Sequence, residues 1–289
     1  MVIGAGDSVP QSESVPTGGS VVAGQVVPAR VGRLWDNRRV LALLVSRDLK
    51  VKYADSVLGY IWSILEPLAM AGVYWLVFTK LMTRQIGEAP YIVFLLCGML
   101  PWQWTNAVLR SSMKALSKDS KLVRSTSLPR EIWVLRTVGS KFAEFMYAVP
   151  VLALFAITTR AELHWWAVFV PVAMLLQGLL LTGAGLLLAP LSVLYGDVER
   201  LMRIVMRLLF YFSPVIYGVT DVTDRFGAIG NLYLINPLAG IFDLYHTAFF
   251  PHEWAGWGAV GISAVISVVI FVGGVLAFRR LEGRVLKEI

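Results

Sequence analysis

Arg47, Lys50 and Lys52 sit close together in one stretch, Leu41 to Tyr53. Leu41, Val45, Leu49 and Tyr53 recur every four residues, Leu44 and Val51 widen that side, and Arg47, Asp48, Lys50 and Lys52 are polar. The spacing predicts an amphipathic helix with a basic side, lying in a membrane surface. Such cations hold anionic lipid headgroups at about 1 kcal/mol each. Glu66 follows, early in an apolar run from Val57 to Phe78. A carboxylate deep in hydrocarbon is costly, so Glu66 is expected either near the interface, paired with an Arg or Lys, or facing a polar lumen.

A second basic run, Lys118, Lys121 and Arg124, recurs at helical spacing behind the possible caps Ser117, Asp119 and Ser120, and Pro129 stops it. By itself the run reads as a solvated charged face on a short surface helix. Other chemistry is missing from the sequence. It has no Walker-type glycine loop, since Gly183-Ala184-Gly185 lies in an apolar run and reads as close packing. It has no Asp-x-Asp of the kind metal-dependent glycosyltransferases use. His164, His246 and His252 are scattered and Cys97 is the only cysteine, so no metal cluster and no disulfide within the chain are expected.

The elements that hold these residues are membrane elements. Of 289 residues, 57% are hydrophobic and 16% charged, with ten tryptophans, whereas soluble domains carry about 25% charged residues. This is the composition of an all-α polytopic membrane protein. Runs near the ~20 residues that cross a bilayer are Val57–Phe78, Tyr91–Ser111, Lys141–Ile157, Trp165–Leu194, Leu201–Val219 and Gly256–Phe278. Six spans are therefore expected, the fourth tilted or kinked by Gly183, Gly185 and Pro190. Residues 1–32, rich in Gly, Ser, Val and Pro, read as a disordered tail, and residues 33–289 as one six-span domain.

Basic residues set the orientation. Seven lie between Arg30 and Lys52, seven between Lys114 and Lys141, three at Arg200, Arg203 and Arg207, and four from Arg279 to Lys287. Lys80, Arg84, Arg160 and Arg225 fall in the opposite loops, and Arg110 inside the second span. Both termini are thus expected in the cytoplasm, and the net charge of +7 needs no nucleic acid. The loop Lys114–Ser140 is long, and so is the outer connection Tyr217–Trp257, where Leu232, Leu234, Ile235, Leu238, Ile241, Phe242, Leu244 and Tyr245 need cover. Asn236-Pro237 splits that connection into two expected short re-entrant helices.

The order of pieces resembles the permease subunit of type-2 ABC exporters of polysaccharides, the O-antigen, teichoic acid and capsule family. The resemblance runs from about Arg33 to Arg284. It rests on Arg47-Asp48-Leu49-Lys50 with Tyr53, Ser56-Val57-Leu58-Gly59-Tyr60-Ile61-Trp62, Glu66-Pro67, and Gly98-Met99-Leu100-Pro101-Trp102. Leu128-Pro129-Arg130-Glu131, Gly196-Asp197-Val198-Glu199, Ser213-Pro214-Val215-Ile216-Tyr217 and Asn236-Pro237-Leu238 complete it. The Gly/Ser/Pro tail is longer than the family's usual N-terminus.

The resemblance implies a homodimer in the bacterial inner membrane, paired with two copies of an ABC ATPase that carries the ATP and Mg, with no cofactor in this chain. It implies that Lys118, Lys121, Arg124, Pro129, Arg130 and Glu131 belong to a coupling segment docked on the ATPase. Arg47, Lys50, Lys52 and Glu66 become a portal for a polyprenyl diphosphate carrying a glycan. Trp62, Phe210, Phe212, Ser213, Pro214 and Tyr217 are candidates for channel and outer gate. The Ala-, Val-, Gly- and Arg-rich usage, low in Lys, suggests a GC-rich bacterium and a cargo such as O-antigen or cell-wall galactan. An exporter of drugs or lipids on the same scaffold is the competing reading. A membrane-embedded glycan transferase lacks clustered catalytic groups.

Overall fold

A computed structural model describes residue 32 and residues 34–54, 61–77 and 90–288. The tail up to residue 31, the Ser56–Tyr60 part of the second motif, Lys80 and Arg84 lie outside the described residues. Every regular element among those described is helical: α1 (Arg38–Tyr53), α2 (Trp62–Trp75), α3 (Tyr91–Ser112), α4 (Ser120–Ser125), α5 (Glu131–Thr158), α6 (Val170–Leu194), α7 (Asp197–Tyr211), α8 (Val219–Phe226), α9 (Pro237–Thr247) and α10 (Trp257–Glu288), with short 3-10 turns between.

Among the described residues, four segments are long and apolar enough to cross a membrane: α3, α5, Trp165–Leu194 (α6 with the turn before it) and α10. Helix α3 is the buried centre, with Val93, Phe94 and Val108 fully enclosed and Cys97 2% exposed. Pro101 removes a backbone donor inside α3. The Pro101 carbonyl accepts from Thr105 Oγ1 (3.0 Å) and Gln177 Nε2 (2.8 Å). Gln177 also donates to Thr105 Oγ1 and accepts from Tyr245 OH at 2.9 Å, so this polar cluster in an apolar interior is satisfied. Helices α6 and α10 cross at glycines, as the small residues predicted: a Cβ at Gly183 would collide with the backbone of Phe271, and one at Gly274 with that of Gly183.

Two expected boundaries move. The last ten residues of the supposed loop Lys114–Ser140 are helix, because α5 begins at Glu131. Charges there looked like a solvated loop, but Glu131 and Arg136 are buried, at 8% and 6% exposure, and Arg136 has carboxylate partners. The fifth run, Leu201–Val219, is not one continuous helix: α7 starts at Asp197 and ends at Tyr211, 15 residues. Pro214 and the restricted residue before it end the helix, and Asn236 Nδ2 takes up the freed Phe212 carbonyl at 2.7 Å. Of the first run, α2 accounts for 14 residues.

Helix α1 turns Leu41, Val45 and Leu49 towards the bundle, where Val45 touches Gly139 of α5. Val51 was expected to widen this face but is 61% exposed. In the outer connection, Asn236 caps α9 by accepting from Leu238 N at 3.0 Å, with Pro237 in the first turn. All of α9 from Leu238 to Thr247 is buried, which gives Leu238, Ile241, Phe242, Leu244 and Tyr245 the cover they need. Leu232 and Ile235 precede the cap on a 3-10 turn and stay exposed. Trp165, Trp166, Phe169, Trp254 and Trp257 cluster at one end of the bundle, with ring centroids 4.4–6.2 Å apart.

Candidate functional site

A cavity of about 740 Å³ opens between the C-terminal half of α3 and helices α2, α5 and α7, with Lys52 of α1 at its rim. Helical spacing supplies each wall. From α3 come Met99, Gln103, Asn106 and Arg110. From α5 come Lys141, Glu144, Phe145 and Ala148, and from α7 Arg203, Met206, Arg207 and Phe210. Glu66, Pro67 and Met70 of α2 close the fourth side.

The lining carries five cations, Lys52, Arg110, Lys141, Arg203 and Arg207, against the carboxylates Glu66 and Glu144. Glu144 serves two of the cations, accepting from Lys52 Nζ at 2.8 Å and Lys141 Nζ at 2.6 Å. Among the described residues Arg110, Arg203 and Arg207 form no ion pair. Aromatic rings flank the charges, with Trp102 against Phe210 at 5.4 Å and Trp104 stacked on Phe145 at 5.3 Å. Trp104 Nε1 and Asn106 Oδ1 are buried without a protein hydrogen-bond partner. Unpaired guanidinium forks beside rings and amides suit a phosphorylated, hydroxyl-rich guest.

A second charged cluster lies next to α4. Arg136 donates from Nε to Asp48 Oδ2 (2.6 Å) and from Nη1 to Asp119 Oδ2 (2.7 Å), with its guanidinium 5.4 Å from the Trp133 ring centre. Asp119 stands just before α4 but does not cap it. At the end of the same segment Arg130 Nη1 pairs with Glu282 of α10 at 3.0 Å.

The structure divides the residues singled out in the sequence. Of the basic set, Lys52 reaches the cavity together with Glu66, whereas Arg47 and Lys50 are exposed on α1 away from it. Lys118 precedes α4, Lys121 and Arg124 project from it, and Val123 anchors it at 1% exposure. Pro129 and Arg130 are half-buried, and Glu131 is buried. Phe210 lines the cavity; Trp62 is 49% exposed and does not. Phe212, Ser213, Pro214 and Tyr217 make the turn after α7, where Asn236 Nδ2 also donates to Ser213 Oγ (3.0 Å) and Tyr217 OH donates to the Tyr211 carbonyl (2.7 Å).

Residue types alone did not pick out this set: Arg203, Arg207 and Lys141 had read as topology charges, Arg110 as a charge inside the second span, and Glu144 had drawn no reading. The signals were present: Arg203 and Arg207 are one turn apart on α7, and Arg110 is an ionisable residue inside a span.

Membrane-length helices, two of which wall a basic cavity together with the shorter α2 and α7, define a multi-pass membrane protein. The chain belongs to the ABC-2 type transporter family, which it matches over residues 39–250. It is 28% identical over 257 residues to the O-antigen export system permease protein RfbA of Klebsiella pneumoniae, covering 88% of this chain and 95% of that one. The RfbA of Myxococcus xanthus is 26% identical over 240 residues, with 83% and 91% covered. The polysialic acid transport protein KpsM of Escherichia coli is 22% identical over 243 residues, with 83% and 92% covered.

Proposed function

We propose that this chain is the channel-forming permease subunit of a type-2 ABC exporter, and that it moves a polysaccharide carried on a polyprenyl diphosphate across the bacterial inner membrane. Two copies pair with two ABC ATPase subunits, which supply ATP hydrolysis; the permease itself is not an enzyme. The termini and α4 face the cytoplasm, in keeping with the distribution of basic residues. Lys118, Lys121 and Arg124 with Pro129, Arg130 and Glu131 form the docking segment for the ATPase.

The observation that carries the proposal is the charge of the cavity: three guanidinium groups without an ion-pair partner among the described residues, beside aromatic rings, where helices of a transport family meet. The diphosphate sits at Arg110, Arg203 and Arg207, with Lys52 and Glu66 at the rim, while Arg47 and Lys50 gather the anionic carrier at the headgroup level. Aromatic walls give sugar rings contact that does not depend on sequence. Phe212, Ser213, Pro214 and Tyr217 form the hinge towards an outer gate. An exporter of neutral drugs would have no use for this excess of cations.

The test is ATPase activity of the purified complex in nanodiscs, with and without polyprenyl diphosphate glycan. Stimulation by the glycan, and a higher concentration needed for half-stimulation when Arg203 and Arg207 are both Ala, are the expected results. Equal stimulation by a polyprenyl lipid lacking phosphate refutes the reading.

A further inference from the structure

Arg136 joins three elements, α1, α4 and α5, of which only α4 and α5 are neighbours in sequence. It lies near the start of α5, is 6% exposed, and holds Asp48 of α1 and Asp119 beside α4 on separate nitrogens of one guanidinium. Asp48 is one turn from Lys52 on α1, and Arg136 is two turns from Glu144 on α5. Lys52 and Glu144 are themselves paired at the cavity rim. Helices α1 and α5 are therefore pinned to each other at two levels, the first continuous with α4 and the second with the cavity.

Helix α4 spans six residues and buries a single side chain, Val123. The Arg130–Glu282 pair ties the segment to α10, away from the cavity. Apolar contacts can slide, but a charge-assisted hydrogen bond of 2.6–2.7 Å is directional and weakens steeply as its geometry opens. A planar fork offers two carboxylates separate donors in fixed directions, whereas a lysine would be a single point charge with rotatable donors.

We infer that Arg136 is the positioning residue that makes α1, and with it Lys52 at the cavity rim, follow displacement of α4. The inference rests on the exporter reading, in which a partner ATPase displaces α4. Cavity access and nucleotide state are then linked through the Asp119–Arg136–Asp48 relay.

The experiment uses the permease–ATPase complex in nanodiscs with paired spin labels. One label of each pair stands on α10 at Gly273→Cys, and the other on α1 at Ser46→Cys or on α4 at Ser125→Cys. Trapping nucleotide in the otherwise unaltered complex is expected to shift both distances. Asp119→Asn, which cuts the relay at α4 and removes no cap, is expected to leave the α4 shift and abolish the α1 shift. Polymer exported per ATP then falls about tenfold, at the low end of coupling between linked sites. The variant Asp48→Asn, Asp119→Asn and Arg136→Gln, which leaves no unpaired charge in the cluster, is expected to behave the same way. An α1 shift of unaltered size in either variant overturns the relay alone. No α4 shift in the unaltered complex overturns the exporter reading together with the relay.

Discussion

Alanine substitutions at Gly274 and at Gly273 should change stability in opposite directions, although the two residues are neighbours on α10. A Cβ at Gly274 would run into the Gly183 carbonyl and lie 3.1 Å from the Gly183 Cα, while one at Gly273 would meet nothing within 4 Å. Carbon atoms in contact normally sit about 3.5–4.0 Å apart. Helices α6 and α10 must therefore part by about 1 Å to admit the new methyl group of Gly274→Ala, and neither backbone can yield. A gap of that size forfeits up to about half of each dispersion contact. Over about twenty pairs at 0.1–0.2 kcal/mol each the loss is about 1–2 kcal/mol, within the usual 1–3 kcal/mol for overpacking.

Lipid offers helices no hydrophobic incentive to associate, so nothing replaces the lost packing. Gly273→Ala instead removes unfolded-state freedom without a clash and should stabilise by about 0.4–1 kcal/mol. Thermal unfolding in detergent, followed by the monodisperse fraction remaining after heating, reads both changes. A midpoint lowered for Gly274→Ala and level or raised for Gly273→Ala is expected. Equal midpoints refute the assigned crossing.

Gln177→Leu should destabilise by about 1–3 kcal/mol in the same assay, because it strips a donor from the Pro101 carbonyl and the acceptor from Tyr245 OH in a water-free interior; an unchanged midpoint would count against the network. Burial pushes the Asp243 carboxyl up to about 7, the Ala255 N–H donated to it opposing the rise and the nearby Glu253 adding to it. Its folded pKa lies above the unfolded value of about 4, so the stability it contributes is complete below pH 4 and is lost as pH rises through 7. Hydrogen exchange in residues 237–255, corrected for its intrinsic pH dependence, should show less protection at pH 8.5 than at pH 5.5. Asp243→Asn should level that difference, and equal protection in the unaltered protein would contradict the assignment.

Apolar periodicity carried much of the architecture. The runs around α3, α5, α6 and α10 were legible because a span announces itself by length, and Asn236-Pro237 was legible because a cap and a first-turn proline act locally. Where contact across the bundle decides, local pattern misled. The start of α5 looked like loop because Arg136 reads as solvated until Asp48 and Asp119 are brought beside it. Within Arg47-Asp48-Leu49-Lys50 the basic residues drew attention, yet Asp48 makes the buried contact and Lys52, just beyond, reaches the cavity. The motifs also find one another in space: a Cβ at Gly98 would strike the backbone of Val215, and Asn236 reaches Ser213. The first is a close backbone approach and the second a side-chain hydrogen bond, and periodicity reports neither.

The enclosure of α3 has a practical consequence for work on this protein. Cys97 is the chain's only thiol and is packed inside that helix at 2% exposure. Maleimides and methanethiosulfonate reagents reach sulfur only where solvent does, so the native protein is a silent background for thiol labelling. Reporter cysteines can be introduced one at a time without first engineering Cys97 away, and labelling at Cys97 itself would register that the core had opened.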